Sequence, residues 1–152
     1  MERIASFQVD HNKLEPGLYL SRRDGEVTTL DLRFKKPNTG DLLSNGEMHS
    51  VEHVIATLLR SGRAKDAVIY FGPMGCQTGF YLLFDSRQLT DEQAVELVKE
   101  TFAAAAAFDG PMPGKSAAEC GNYVNLDVEL ARNQCGFYSG LIRDWTAEKL
   151  AY

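Results

Sequence analysis

Two histidines and a glutamate stand together in His49-Ser50-Val51-Glu52-His53. On a helix, imidazoles four residues apart lie one above the other and can grip a single metal ion. Glu52, one residue before the second histidine, then sits beside the ion without having to ligate it, the reverse of the zinc-protease order. The pentad points to metal-assisted chemistry. Which chemistry depends on a third ligand and on a second group able to carry a proton.

Metal sites that do chemistry typically hold the ion with three protein groups and keep one position for water or substrate. Two residues are candidates for the third ligand. With Glu129 the set is two imidazoles and a carboxylate, as in a metalloprotease. With Cys120 a soft thiolate joins the imidazoles and suits Fe(II), Zn or Co. Cys120 lies in Glu119-Cys120-Gly121-Asn122-Tyr123, where Gly121 lets the backbone turn sharply. Spacing does not choose between the two. A second thiol, Cys76, stands in the glycine-rich run Gly72-Pro73-Met74-Gly75-Cys76-Gln77-Thr78-Gly79. At such a tip it is expected to be accessible, and a neighbouring cation, a metal ion or Arg33, would favour the reactive thiolate. Cys135, midway along the last predicted helix, reads as a packed thiol.

These residues need elements to position them. Glu47 to Arg60 reads as an amphipathic helix ended by Gly62. Met48, Val51, Ile55, Leu58 and Leu59 share one side, and His49, Glu52, His53, Ala56 and Arg60 the other. Before it come an N-terminal segment, Ile4 to Val9, a short strand over Gly17 to Ser21 and a turn at Arg22 to Gly25. A strand over Glu26 to Lys35 follows, in which Leu30, Leu32 and Phe34 alternate with Asp31, Arg33 and Lys35. Strands over Ala67 to Phe71 and Phe80 to Asp85 flank the Cys76 run. Thr90 caps a helix to about Phe108, with Asp91 and Glu92 well placed in its first turn. A last helix runs from Asn125–Asp127 to about Trp145, disturbed at Gly136 and Gly140. This order predicts a single α+β domain over residues 1–152, with a mainly antiparallel sheet packed by helices on one side.

At 152 residues the chain is long enough to bury a real core, and 44% apolar content is ordinary for a globular protein. A net charge of −5 argues against nucleic acid as a partner. No apolar run is long enough to span a bilayer, and Met1-Glu2-Arg3-Ile4 lacks the apolar core of a signal peptide. Three widely spaced cysteines do not form a disulfide framework, so a reducing cytoplasm is expected.

Several segments together carry a family resemblance. Ser6 to His11, Leu30 to Asn38, the pentad, Gly72 to Tyr81 and Glu119 to Tyr123 match, in order and spacing, the S-ribosylhomocysteine lyase (LuxS, autoinducer-2 synthase) family. The resemblance implies that His49, His53 and Cys120 bind one divalent metal, Fe(II) in this family, with Zn or Co able to substitute. It implies that Cys76 and Glu52 are the acid/base pair, and that Ser6, His11, Arg33 and Arg60 serve the substrate pocket. It also implies a homodimer whose two pockets lie at the interface, with no role for nucleic acid or membrane. The chain departs from the family at Tyr70, six residues before Cys76, where an aspartate is common. A phenol does not do a carboxylate's electrostatic work at neutral pH.

The implied reaction moves a carbonyl along the ribose of S-ribosylhomocysteine. Beta-elimination then releases homocysteine and leaves 4,5-dihydroxy-2,3-pentanedione, the autoinducer-2 precursor used in quorum sensing, which links the chain to the methionine cycle. From the residues alone, two other classes stand beside this lyase. One is a small hydrolase with Glu52 activating water and Glu129 as third ligand; the other is a non-catalytic metal-binding module.

Overall fold

The computed structural model describes all 152 residues. Four strands form one antiparallel sheet: β1 (Gly17–Asp24), β2 (Val27–Arg33), β3 (Val68–Pro73) and β4 (Gly79–Asp85), in the order β1-β2-β4-β3. Three helices pack on it: α1 (Asn45–Ser61), α2 (Asp91–Ala106) and α3 (Val128–Leu141). The expected α+β class is what the chain adopts. No helix is long and apolar enough to cross a membrane.

Strand alternation separates the two faces of the sheet. Leu18, Leu30, Leu32, Phe80, Leu82 and Phe84 point to the helices and join Val51, Val54, Ile55, Val98, Phe102 and Tyr138 in one buried core. Phe34 stacks on Tyr138 with ring centroids 4.2 Å apart and meets Phe80 edge-on at 5.0 Å. The opposite face carries Tyr19, Thr29, Asp31, Arg33, Tyr81 and Leu83, brought side by side by the register Tyr19↔Asp31↔Tyr81. Asp31 and Arg33 are buried there, although they lie on the face without helices.

Two of the three helices begin on reciprocal capping boxes. Ser44 accepts from the Glu47 N–H while the Glu47 carboxylate accepts from the Ser44 N–H; Thr90 and Gln93 repeat the pattern on α2. The box starts α1 two residues earlier than the apolar period suggests. The first strand is longer than expected. It continues through Arg22 and Arg23 because a bulge between Leu20 and Arg22 absorbs one residue, and the turn falls at Gly25, whose φ of 60° is left-handed. The last helix runs unbroken through Gly136, which abuts the Ala106 methyl of α2, and stops at Leu141. Trp145 turns back instead to pack edge-on against Tyr19, its ring filling the space a Cβ at Gly17 would need.

Candidate metal centre and the thiol beside the sheet

The helical spacing of the pentad does what the sequence implies. His49 and His53 lie on the half-buried side of α1 with ring centroids 4.6 Å apart, and Cys120 reaches them from the loop between α2 and α3. The ligand atoms of these three residues lie within 4.8 Å of one another, and Cys120 Sγ is 3.3 Å from His49 Nε2. Bonds of about 2.0–2.1 Å to nitrogen and 2.3 Å to sulfur, at tetrahedral angles, put such atoms roughly 3.5 Å apart. The donor set fits one divalent ion with a position to spare. Glu129, the alternative third ligand, is exposed at the start of α3 and pairs with Arg132 at 3.1 Å. It takes no part in the group.

Neighbouring groups fix the orientation of both imidazoles. His49 Nδ1 donates to Asn125 Oδ1 at 2.6 Å, and His53 Nδ1 donates to the Pro113 carbonyl at 2.9 Å. Each ring therefore presents the lone pair of its Nε2. Gly114, with φ of 69°, follows that carbonyl; a Cβ there would lie 2.8 Å from His53 Nδ1. The loop is tied to α1 again where the Asp127 N–H donates to the buried Ser50 hydroxyl at 2.9 Å. The Asn122 N–H donates to Cys120 Sγ at 3.5 Å. Asn125, Pro113 and Gly114 escaped the sequence reading. Asn125 stands only three residues beyond the Cys120 motif, and that nearness was the one available signal. Glu52 is half-buried on the same helix, and its carboxylate makes no hydrogen bond or ion pair within the chain.

Cys76 sits exposed at the tip of the β3–β4 hairpin. The tip is held by Gln77, in the left-handed region at φ 64°, which exchanges bonds of 2.9 and 3.0 Å with Leu43, just before the α1 cap. The hairpin can pass close to β2 because a Cβ at Gly79 would fall 2.3 Å from the Leu32 carbonyl oxygen. Behind the thiol lies Arg33. It donates Nε and Nη2 to the two Asp31 oxygens at 3.1 and 2.6 Å, and Nη1 to Thr78 Oγ1 at 2.7 Å. The same Nη1 is 3.9 Å from Cys76 Sγ, and Sγ is 3.1 Å from Thr78 Oγ1. Burial opposes the guanidinium charge, but Asp31 outweighs it, and the pKa of Arg33 is raised. The structure thus sets a permanent cation beside the thiol.

The other residues expected at the pocket are spread out. His11 and Cys76 line one cavity of about 460 Å³ with Asn38 and Thr78; none of the three metal ligands lines it. His11 Nδ1 donates to the Val9 carbonyl at 2.9 Å, leaving Nε2 as an acceptor. Ser6 opens into a different cavity, beside Arg22, Thr29 and Tyr81 on the sheet face without helices. Arg60 is exposed and donates to the Ile69 carbonyl of β3 at 2.8 Å. Tyr70 is half-exposed, its ring laid over Gly72 and its hydroxyl without a partner. Cys135 is the packed thiol expected; burial pushes its pKa up to about 12.

The profile of the S-ribosylhomocysteinase (LuxS) family matches residues 4–148. An S-ribosylhomocysteine lyase of Desulfotalea psychrophila is 46% identical over 98% of this chain and 96% of its own length. One of Finegoldia magna is 42% identical over 100% of this chain and 99% of its own, and one of Clostridium acetobutylicum 40% identical over the same shares. With a matching profile over most of its length, the chain belongs to the S-ribosylhomocysteinase (LuxS) family.

Proposed function

We propose that residues 1–152 work as one S-ribosylhomocysteine lyase domain, releasing homocysteine and 4,5-dihydroxy-2,3-pentanedione. The observation that carries this reading is the combination on one chain of a three-ligand metal group with a thiol held against a buried guanidinium. A hydrolase has no use for the second feature.

The substrate is a ribose whose C5 carries homocysteine through a thioether. Direct cleavage would expel a thiolate from an unactivated carbon. Moving the carbonyl from C1 to C2 and then to C3 acidifies the proton on C4, and beta-elimination then breaks the C5–S bond. Each migration takes a proton from a carbon beside the carbonyl and returns it one carbon along, through an enediolate. Cys76, as thiolate beside Arg33, is the base that takes and returns the carbon-bound proton. Glu52, with no competing bonds, carries protons between the sugar oxygens. Such groups each contribute roughly a hundred- to ten-thousandfold. A divalent ion on His49, His53 and Cys120 supplies Lewis acidity, worth several kcal/mol where charge develops on oxygen. We infer Fe(II) as the natural ion from the family resemblance; two imidazoles and a soft thiolate accept Fe(II), Zn or Co, so Zn or Co can substitute.

We further infer a homodimer with sites at its interface. Two facts favour it: Tyr81 and Leu83 stand half-exposed on a sheet face that no helix covers, and Ser6 and Cys76 open into separate cavities. His11, Ser6 and Arg33 then meet substrate or steady the groups that do, and Arg60 serves by holding β3. Three unpaired cysteines suit a reducing cytoplasm. Light scattering at twice the chain mass supports the dimer, and a monomer rejects it. Protein loaded anaerobically with Fe(II) and given S-ribosylhomocysteine is expected to release free thiol; none from a fully loaded sample rejects the lyase.

A further inference from the structure

Asp31 is 0% exposed, and its charge is shared through Arg33 with the thiol of Cys76. A carboxylate offers about four lone-pair sites. Arg33 fills one on each oxygen, and the Tyr152 hydroxyl fills another by donating to Asp31 Oδ2 at 2.6 Å. Tyr152, the last residue, is 47% exposed. Its ring stacks on Tyr19 with centroids 5.1 Å apart and planes at 20°. The preceding segment is pinned where the Leu20 N–H donates to the Leu150 carbonyl at 2.7 Å, beside the β1 bulge. On its outer side Tyr152 lines a cavity of about 570 Å³ with Tyr19, Ser21, Asp10 and Glu15. The ring therefore covers the buried ion pair on that side.

Asp31 and a Cys76 thiolate compete for one guanidinium. Arg33 gives Nε and Nη2 to Asp31 and turns Nη1 toward the sulfur, so whatever charge on Asp31 is satisfied by another donor leaves more of the guanidinium charge for the sulfur. We propose that Tyr152 is a positioning residue for Cys76, its hydroxyl holding Asp31 so that Arg33 faces the thiolate. This rests on the reading of Cys76 as the base. Burial, and then the Asp31 charge, push the Tyr152 phenol far above its usual range, so it keeps its proton and remains a donor. The other groups facing the pair do not replace it. The phenols of Tyr19 on β1, Tyr81 on β4 and Tyr138 on α3 are raised by burial and then by Asp31, and the hydroxyls of Tyr19 and Tyr138 go to the Glu15 and Gly17 carbonyls. His11 lines the Cys76 cavity, Arg22 lines the cavity beside Tyr81, and Asp10, Lys13 and Glu15 line the one outside Tyr152.

Tyr152→Phe keeps the ring and its stack and removes only the donor. Alkylation of Cys76 by iodoacetamide, read peptide by peptide in the metal-loaded protein from about pH 5 to about pH 10, reports its thiolate directly. The profile is expected to move up by roughly half a pH unit or more, with about a threefold slower reaction at neutral pH. Superimposable profiles overturn the proposal. Tyr19→Phe removes a hydroxyl that does not touch Asp31 and is expected to keep the parent profile; an equal shift there assigns the effect to a loosened stack and also overturns it. Alkylation needs no substrate, so the two readings separate. A shifted profile with unchanged lyase turnover upholds Tyr152's role and rejects Cys76 as the base.

Discussion

At the metal end of the site, the half-exposed His49, His53 and Cys120 come from two segments of chain, and each imidazole is oriented by one hydrogen bond that it donates, to Asn125 or to the Pro113 carbonyl. At the thiol end the order is reversed. The reactive atom is exposed, while the charges that govern it are buried behind it in the register of neighbouring strands. One end groups three donor side chains at a half-exposed surface; the other keeps a guanidinium, paired with a buried carboxylate, near a sulfur. The difference teaches that metal affinity and thiolate character here rest on separate residues and should be separable by mutation.

The largest effect belongs to the ligands. His53→Ala removes one of three and is expected to drop bound metal from one per chain to near zero, measured by elemental analysis after dialysis; full retention breaks the ligand assignment. Asp31→Asn acts only at the other end. It leaves Arg33 buried without its counter-charge and is expected to cost about 3–5 kcal/mol in urea unfolding, with metal content unchanged. A loss of metal in that variant would merge the two ends. Asn125→Ala sharpens the metal end, lowering affinity about 10- to 100-fold through a misdirected His49 while leaving Cys76 alkylation alone. Competition with a chromogenic chelator reads this, and unchanged affinity rejects the orienting bond.

The smallest effect at neutral pH lies outside both ends. Cys135 keeps its proton in the fold up to about pH 12, against an ordinary 9.0. The unfolded thiol therefore ionises first. Its stabilising contribution is complete below pH 9 and falls as pH rises toward 12, by at most about 1.4 kcal/mol per pH unit. Cys135→Ala should flatten that slope in alkaline unfolding curves; an unaltered slope contradicts it.

The metal end was the more legible in sequence, because helical period alone superposes His49 and His53. Its third ligand was not. Cys120 and Glu129 are equally plausible until the loop is closed by Asn125 on His49 and Asp127 on Ser50, contacts across more than seventy positions. Strand alternation already placed Asp31 and Arg33 on one face, and the glycine-rich hairpin exposed Cys76. What joined them was the pairing of β2 with β4, which sets Arg33 opposite Gly79 and brings Thr78 to its guanidinium. No local pattern announces Tyr152, because its meaning comes only from the buried carboxylate it reaches. The helix start at Ser44 was written in Ser44-Asn45-Gly46-Glu47, a capping box that apolar periodicity overlooks. Trp145 left the last helix for a tertiary reason, its contact with Tyr19 and Gly17.

In the proposed reaction the metal end and the thiol end do different work. Cys76→Ala tests this most directly, with metal content and thiol release from S-ribosylhomocysteine measured on the same anaerobic, Fe(II)-loaded sample. The expected result is one metal per chain, as in the parent, with thiol release lowered by at least about a hundredfold. Parent-like thiol release from a metal-replete Cys76→Ala protein would contradict the claim.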